Sequence, residues 1–253
     1  MEMEARIKEE LNKIEAAEDV RIIWSAESGS RAWGFASPDS DYDVRFIYVR
    51  NRKDYLRLNP VRDVIEWQLD EVLDISGWDI RKALQLLYKS NPTLFEWYNS
   101  PIVYRETEEA QWLKDMLPQY FSMKKSLYHY LSMAKSNYHK YLQGEEVRLK
   151  KYFYVLRPIL AAQWILDKKC APPMRFETLV DAELDEALKP AISQLLALKK
   201  TTPEMGSAHR LTEVNEYLER KMEEINKAAE AVNTERNEWD TINELFLKML
   251  NNR

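Results

Sequence analysis

The sequence predicts an α+β protein in which a small mixed β-sheet domain is followed by an all-helical domain. Runs rich in branched and aromatic residues, which are typical of strands, occur only in about the first hundred residues. From about residue 105 onward helical periodicity dominates, and proline or glycine marks the breaks. We therefore place a domain boundary between residues 104 and 105, which gives domains 1–104 and 105–253.

The first domain is predicted to alternate helices and strands. Residues 2–17 predict a helix and residues 20–25 a buried strand, and a polar stretch with a short helical turn then leads into the strand YDVRFIYV. A short helix is predicted for NRKDYLRL. The runs VIEWQL and VLDIS predict an antiparallel hairpin with a two-residue turn at Asp70-Glu71, followed by the helix WDIRKALQLLYKS, which Asn91-Pro92 ends.

The second domain is predicted to contain helices only. The last of them is long, and we expect a kink or a break near Asn233. The predicted helical segments are 106–120, 122–142, 145–169, 183–199 and 208–250.

Composition excludes several classes of protein. The chain has 253 residues, of which 45% are hydrophobic, so it is not disordered throughout. A single cysteine, Cys170, excludes an internal disulfide and a cysteine-rich zinc site. No apolar run approaches the roughly 20 residues that a membrane helix needs, and the charged N-terminus does not resemble a targeting signal. We expect a cytoplasmic protein without a membrane partner.

The segment GSRAWGFASPDSDYD, residues 29–43, carries the strongest chemical signal. Asp41 and Asp43 lie two residues apart at the start of a predicted strand, so both carboxylates face the same side of the sheet. Two such acids repel each other and raise each other's pKa unless a cation lies between them. A hard divalent ion such as Mg²⁺ takes carboxylate and phosphate oxygens as ligands. The pair therefore indicates a metal site.

Gly29 and Ser30 come directly after the first strand. Backbone N–H groups at this bend, together with the Ser30 hydroxyl, are suited to hold a phosphate oxygen. Arg31 is a further candidate for a phosphate contact, and Ser40, which directly precedes the paired acids, is a candidate nucleotide-binding residue. Arg45 shares a face with those acids, so a phosphate contact and a structural ion pair are equally good interpretations of it.

A metal site of this kind needs a third acid, because metal ions that bridge an attacking oxygen and a phosphate share several carboxylates. Asp74 is the best candidate, since an acid between Leu73 and Ile75 in a strand is costly unless it faces a site. Glu66 and Asp70 are reserve candidates, and Asp70 is equally well explained as a turn residue.

Taken together, these residues resemble the nucleotidyltransferase superfamily of DNA polymerase beta. Gly29-Ser30, a spacer, Asp41-Tyr42-Asp43 on a strand and Asp74 between apolar residues form the shared pattern. The segments GSRAWGFASPDSDYDVRFIYV, DISGWDIRKALQLL, KSNPTLFEWYNSP and KKYFYVLRP resemble one branch more closely, the RNA repair pathway DNA polymerase beta family. The resemblance covers roughly residues 18–170.

The resemblance implies a nucleotidyltransferase with a polymerase beta type sheet domain. Asp41, Asp43 and Asp74 would converge on Mg²⁺, with two ions expected and Mn²⁺ as a substitute. Gly29 and Ser30 would hold the triphosphate of an NTP. A substrate hydroxyl would attack the α-phosphorus and pyrophosphate would leave, with Asp74 as a candidate acceptor of the hydroxyl proton.

The helical half adds candidate nucleotide contacts. Lys150, Lys151 and Tyr154 lie in a lysine-tyrosine stretch that the resembled family shares, so the resemblance implies that they border the nucleotide. The basic, tyrosine-rich region 122–157 and the family's name favour an RNA end, tRNA included, as the acceptor. A protein or a small molecule is the alternative acceptor. A nucleotide-binding or antitoxin-like module without turnover is the alternative function.

Overall fold

The computed structural model describes residues 2–68, 70, 72–201, 206–233 and 237–252. A mixed five-stranded sheet, a two-stranded sheet and many helices confirm the α+β class. The chain divides into two compact units, of which the first lies within the ranges 1–32, 41–121 and 236–253 and the second within 33–40 and 122–235. The domain boundary between residues 104 and 105 stays a prediction.

The first unit contains a mixed five-stranded sheet in the order β3-β4-β2-β1-β5. Strands β2 and β4 run parallel, and the other neighbouring pairs are antiparallel. Because β2 lies in the centre and is buried along most of its length, both of its ends are fixed by neighbours on two sides. The strands are β1 (Val20–Glu27), β2 (Tyr42–Arg50), β3 (Val64–Gln68), β4 (Leu73–Asp79) and β5 (Val103–Glu106).

Both faces of this sheet are covered. On one face α1 (Glu2–Glu18) buries Ile7, Leu11 and Ile14 against apolar side chains of the central strands, since these three positions share one side of the helix. On the other face the ring of Trp24 in β1 stacks on that of Tyr98 at a centroid distance of 4.8 Å. A central strand buried on both sides positions its polar residues tightly.

Further helices complete the first unit. Asp79 caps α4 by accepting the N–H of Arg81 at 2.8 Å, and Asn91 caps α5 by accepting the N–H of Thr93 at 3.0 Å. The last helix packs here as well, because Lys248 lies 3.4 Å from the ring centroid of Trp112. These helices are α2 (Gly29–Trp33), α3 (Arg52–Tyr55), α4 (Ile80–Tyr88), α5 (Pro92–Tyr98), α6 (Glu108–Tyr120) and α12 (Asp240–Asn251).

The second unit is mainly helical. Its helices pack around buried aromatic side chains, and the ring of Phe35 contacts those of Phe153 and Phe176 at 5.1 and 5.4 Å between centroids. Tyr152 donates from its hydroxyl to Asn215 Oδ1 at 2.8 Å in the same core. The elements are α7 (Met123–Tyr141), β6 (Glu146–Arg148), α8 (Phe153–Lys168), α9 (Phe176–Glu183), α10 (Lys189–Thr201), β7 (Ser207–His209) and α11 (Thr212–Ala231).

The structure corrects several local predictions. The helix predicted over 183–199 begins at residue 189 as α10, and the helix predicted for WDIRKALQLLYKS begins at residue 80, because its first two residues belong to β4. The last residues of strand β5 lie where only helix was expected. In the segment 145–169, which was predicted as one helix, β6 and a 3₁₀ turn precede α8. The predicted helix 208–250 consists of α11 and α12, as the expected break near Asn233 allowed, but its first residues belong to β7. The hairpin is confirmed, although its turn is wider than two residues because Gln68 faces Asp74; residues 69 and 71 lie outside the described part.

Within the described ranges, no helix has both the length and the apolarity required to cross a membrane.

A buried acid in the second unit gives a pH-dependent prediction. Burial, together with the charge of Asp167, raises the pKa of Glu183 to about 7. A carboxyl whose pKa is raised in the folded state favours folding while protonated, and this contribution is lost as pH rises from 4.5 through 7. We expect Glu183→Gln to gain about 2 kcal/mol of unfolding free energy relative to wild type between about pH 5 and pH 8.

The measurement is urea unfolding of both proteins at the two pH values. Asp181→Asn, an exposed acid on the same helix, serves as the control and should show no such difference. Parallel pH profiles for wild type and Glu183→Gln would contradict the prediction.

Candidate active site

The register of the sheet brings Asp43 and Asp74 together. They are direct partners across the parallel pair β2 and β4. Burial alternates along β4, so Asp74 lies on the more open face while Leu73 and Ile75 are buried. Asp41 precedes β2 by one residue, and the N–H of Tyr42 donates to the carbonyl of Val72 at 2.7 Å, which joins the two strands just before the acids.

Arg45 links the two neighbouring carboxylates. Its Nη2 lies 3.0 Å from Asp43 Oδ1 and 2.8 Å from Asp74 Oδ2. Its Nη1 also donates to the carbonyl of Asp74 at 3.2 Å. Of the two interpretations of Arg45, the structure shows the ion pair. The guanidinium therefore compensates part of the negative charge that two adjacent acids concentrate on this face.

The pKa of Asp43 is raised above its usual value. Burial raises it most, and the negative charges of Asp74 and Asp41 raise it further. The positive charges of Arg45 and Arg31 act in the opposite direction. All three predicted acids therefore interact electrostatically, and positive charge at this site lowers the cost of keeping Asp43 ionised.

Gly29 lies directly against the carboxylate of Asp43. Its φ of +59° is in the left-handed region that favours glycine, and a Cβ built on it would lie 2.0 Å from Asp43 Oδ2. The N–H of Ser28 donates to the Asp43 carbonyl at 2.8 Å. The bend predicted at Gly29-Ser30 thus forms beside the acids, with Ser30 in the first turn of α2.

Glu27 is a site residue that the sequence analysis missed. It is 1% exposed at the end of β1 and accepts the backbone N–H of Asp43 at 2.7 Å. It also accepts the hydroxyl of Tyr104, and its burial raises its pKa. A signal existed, since an acid that ends a strand as apolar as VRIIWSA needs a specific partner.

The remaining candidates in the first unit make contacts within the protein, and a phosphate contact of Arg31 stays a prediction. Arg31 donates from Nε to the carbonyl of Asp41 at 3.0 Å and stacks on the ring of Tyr42, so it supports the backbone at the first acid. Asp70 accepts the N–H groups of Val72 and Leu73 at 2.9 and 2.8 Å, which supports its interpretation as a turn residue.

The other reserve acid and the candidates in the second unit make the following contacts within their own units. Glu66 is exposed on β3, 3.8 Å from Arg62. Ser40 accepts the N–H of Ser37 at 2.9 Å within the second unit. Lys151 lies 4.7 Å from the ring centroid of Tyr154, and Lys150 belongs to the adjoining 3₁₀ turn. It stays a prediction that Ser40, Lys150, Lys151 and Tyr154 border a nucleotide.

The donor atoms at the site are of the kind that a divalent ion takes. Asp41, Asp43 and Asp74 supply hard carboxylate oxygens, and the oxygen Asp43 Oδ2 faces the space that the missing Cβ of Gly29 leaves. In the described part of the chain, no three His, Cys, Asp or Glu side chains are already arranged around a common metal position. Arg45, which bonds two of the three acids, is the cation that a metal ion would have to displace or accompany.

Comparison with known proteins identifies the family. The sequence profile of the RNA repair pathway DNA polymerase beta family matches residues 3–248, almost the whole chain. The chain belongs to this family. It is also 45% identical over 248 residues to the uncharacterized protein YcgL of Bacillus subtilis (strain 168), a match that covers 97% of this chain and 95% of that protein.

Among solved structures, a nucleotidyltransferase-like protein from Exiguobacterium sibiricum 255-15 shares 10% identity with this chain. The match covers 98% of this chain and 80% of that protein, with a TM-score of 0.33. The assignment to the RNA repair pathway DNA polymerase beta family rests on the sequence match, and it indicates a nucleotidyltransferase of the polymerase beta type.

Glu27 gives a prediction about positioning within this family member. Glu27→Ala leaves the Asp43 N–H and the Tyr104 hydroxyl without their acceptor, and we expect it to lower the free energy of unfolding by about 2–4 kcal/mol. Glu27→Gln retains an amide oxygen for the Asp43 N–H and should cost about 1 kcal/mol or less. Urea denaturation measures both variants.

Glu106→Ala is the control, because Glu106 is an exposed acid whose side chain accepts from Lys114 Nζ at 3.3 Å. Loss of such a surface pair should cost little. Equal stability of Glu27→Ala and Glu106→Ala would show that Glu27 does not hold the Asp43 backbone.

Proposed function

We propose that the protein is a Mg²⁺-dependent nucleotidyltransferase that transfers a nucleoside monophosphate from an NTP to a hydroxyl at an RNA end. The observation that carries the proposal is the register of β2 and β4, which places Asp43 beside Asp74 with Gly29 against Asp43. Membership of the RNA repair pathway DNA polymerase beta family supports both the reaction class and the choice of RNA as acceptor.

The reaction that suits these residues is an in-line displacement. The acceptor oxygen forms a bond to the α-phosphorus while the bond from that phosphorus to the bridging oxygen of the β-phosphate breaks, and pyrophosphate leaves. The proton of the acceptor hydroxyl passes to a carboxylate. Asp74 is suited to take it, because its side chain is 49% exposed on the open face, whereas that of Asp43 is 31% exposed.

The other residues bind and orient. Gly29 lets the backbone approach the acids closely, and Ser30 follows it with a hydroxyl that can donate to a phosphate oxygen. Arg31 fixes the backbone of Asp41. In the proposal, Mg²⁺ held by Asp41, Asp43 and Asp74 supplies charge stabilisation for the triphosphate. Ser40, Lys150, Lys151 and Tyr154 are proposed to line the nucleotide.

The deciding experiment incubates the protein with Mg²⁺ and each of the four NTPs labelled at the α-phosphate. Total RNA, a protein extract and a small-molecule fraction are offered as separate acceptors. The proposal expects label in RNA, and no label when Asp41 and Asp43 are replaced by alanine. Label in protein or in small molecules would overturn the RNA acceptor. Tight NTP binding without transfer to any acceptor would overturn the enzyme and favour a nucleotide-binding module.

A further inference from the structure

A pocket of about 270 Å³ lies in the first unit at the end of β2 opposite the acids. Arg50, the last residue of β2, lines it together with the loop after α3 and the start of α4. Asp43 and Arg50 are seven positions apart along the strand, which corresponds to about 23 Å at about 3.3 Å per residue. The pocket is therefore separate from the candidate active site, although both lie on the same strand.

Positive charge predominates in this pocket. Three acids also line it, and two of them pair with basic residues of the pocket itself: Asp54 lies 3.6 Å from Arg57 and Asp63 lies 3.2 Å from Lys82. The third, Asp79, caps α4 and accepts the hydroxyl of Tyr55 at 2.9 Å. The five basic residues that line the pocket are Arg50, Arg57, Arg62, Arg81 and Lys82. An anion entering the pocket would meet an excess of cationic donors.

Arg50 is the clearest sign that the pocket is built for a ligand. Its side chain is only 10% exposed, and its Nε has no hydrogen-bond partner among the described residues. Its terminal nitrogens make long polar contacts, at 3.5 Å to the carbonyl of Glu18, 3.4 Å to the carbonyl of Arg62 and 3.8 Å to Glu18 Oε2, and its guanidinium lies 5.1 Å from the Tyr48 ring centroid. A phosphate oxygen would give these terminal nitrogens shorter, charge-assisted hydrogen bonds.

The arginines at the mouth indicate an extended ligand. The side chains of Arg57 and Arg62 are 51% and 73% exposed, so their guanidinium groups reach outward from the pocket. A small enclosed anion would leave them unused, whereas a chain of phosphates would engage the buried arginine and the outer ones together.

We propose that this pocket binds backbone phosphates of the RNA acceptor, with Arg50 on one phosphate and Arg57 and Arg62 on its neighbours. The choice of RNA rests on the proposed function. An RNA end at Asp43 would reach the pocket after about seven nucleotides, at about 3.4 Å each along a stacked strand. The pocket thus selects acceptors longer than this span.

The test measures RNA binding apart from catalysis. Fluorescence anisotropy of a labelled single-stranded RNA of about 12 nucleotides, in EDTA and without NTP, compares the wild-type protein with Arg57→Gln/Arg62→Gln. We expect a Kd about tenfold higher, and a dependence of log K on log salt that is shallower by about 1.4, the value for two lost phosphate contacts on a single strand. An RNA of about three nucleotides can fill the pocket but cannot span both sites, so it should bind wild type more weakly than the longer RNA and should also lose affinity in the arginine variant.

The matched control is Lys8→Gln/Lys13→Gln. It removes the same charge from the same unit, at exposed lysines on α1 that pair with neighbouring glutamates. Arg50→Lys, which keeps the charge but lacks the two terminal nitrogens of the guanidinium, should also raise the Kd for the longer RNA. Thermal unfolding verifies that each variant is folded.

The results distinguish RNA binding at the pocket from nucleotidyl transfer at the acids. Equal RNA affinity of the arginine variant and the lysine control would overturn the proposal. If wild type transfers no nucleotide to RNA while the arginine variant still binds RNA more weakly, the proposed function fails and the pocket stands.

Discussion

Asp43→Asn is expected to reduce nucleotidyl transfer about 1000-fold, equivalent to about 4 kcal/mol of transition-state stabilisation. The amide removes a negative charge beside Asp74 and within reach of the charge of Asp41. Asparagine has nearly the same shape as aspartate, so the effect of charge is isolated from packing. Initial rates of α-phosphate label transfer to RNA, measured with saturating NTP, give the comparison.

Asp70→Asn is the matched control for this charge change. Asp70 is an exposed acid on the hairpin between β3 and β4, where it pairs with Arg6 at 2.6 Å. It should retain transfer within about threefold, since its role is in the turn. Burial raises the pKa of Asp43, so the ionised carboxylate costs stability at neutral pH. The free energy of unfolding of Asp43→Asn should therefore be no lower than that of wild type. Full transfer activity in Asp43→Asn would refute the placement of the site.

Gly29→Ala is expected to damage both stability and activity. The methyl group would lie 2.0 Å from Asp43 Oδ2, and the φ of +59° is strained for any residue with a Cβ. We expect a loss of about 2–4 kcal/mol in the free energy of unfolding and, in the fraction that remains folded, a transfer rate about 100-fold lower because Asp43 is displaced. Urea denaturation and the label-transfer rate are the two measurements.

Gly206→Ala provides the comparison, because a Cβ on Gly206 would have nothing within 4 Å in the described structure. It should leave both quantities close to wild type. If Gly29→Ala were as stable and as active as Gly206→Ala, the close approach of the bend to Asp43 would have no functional meaning.

The elements with strong periodicity could be predicted from the sequence. Residues 2–17 and the strand YDVRFIYV have uninterrupted patterns, and the structure places α1 and β2 there. Strand β5 was missed because it has four residues at the edge of the sheet, and its burial does not alternate clearly. Strand β6 was missed for a similar reason, and a helix was expected to start at residue 145 in its place. This strand is three residues long and pairs with β7, which is distant in the sequence.

The candidate site was predictable in composition but not in arrangement. The spacing of Asp41 and Asp43 follows from the period of one strand, whereas the pairing of Asp43 with Asp74 depends on β2 and β4 running side by side in parallel. That register is a long-range property of the sheet. Glu27 was missed because its partner, the N–H of Asp43, becomes its neighbour only when β1 and β2 pair.

The return of the chain to its first unit has a consequence for biosynthesis. Trp239 stacks on Tyr88 with 3.6 Å between ring centroids, and Asn252 donates to Glu109 at 2.7 Å, so helix α12 caps surfaces formed more than a hundred residues earlier. A nascent chain emerging from the ribosome would hold these surfaces uncovered until residues 237–252 have been synthesised. Completion of the unit that carries the acids therefore waits until these residues have left the ribosome.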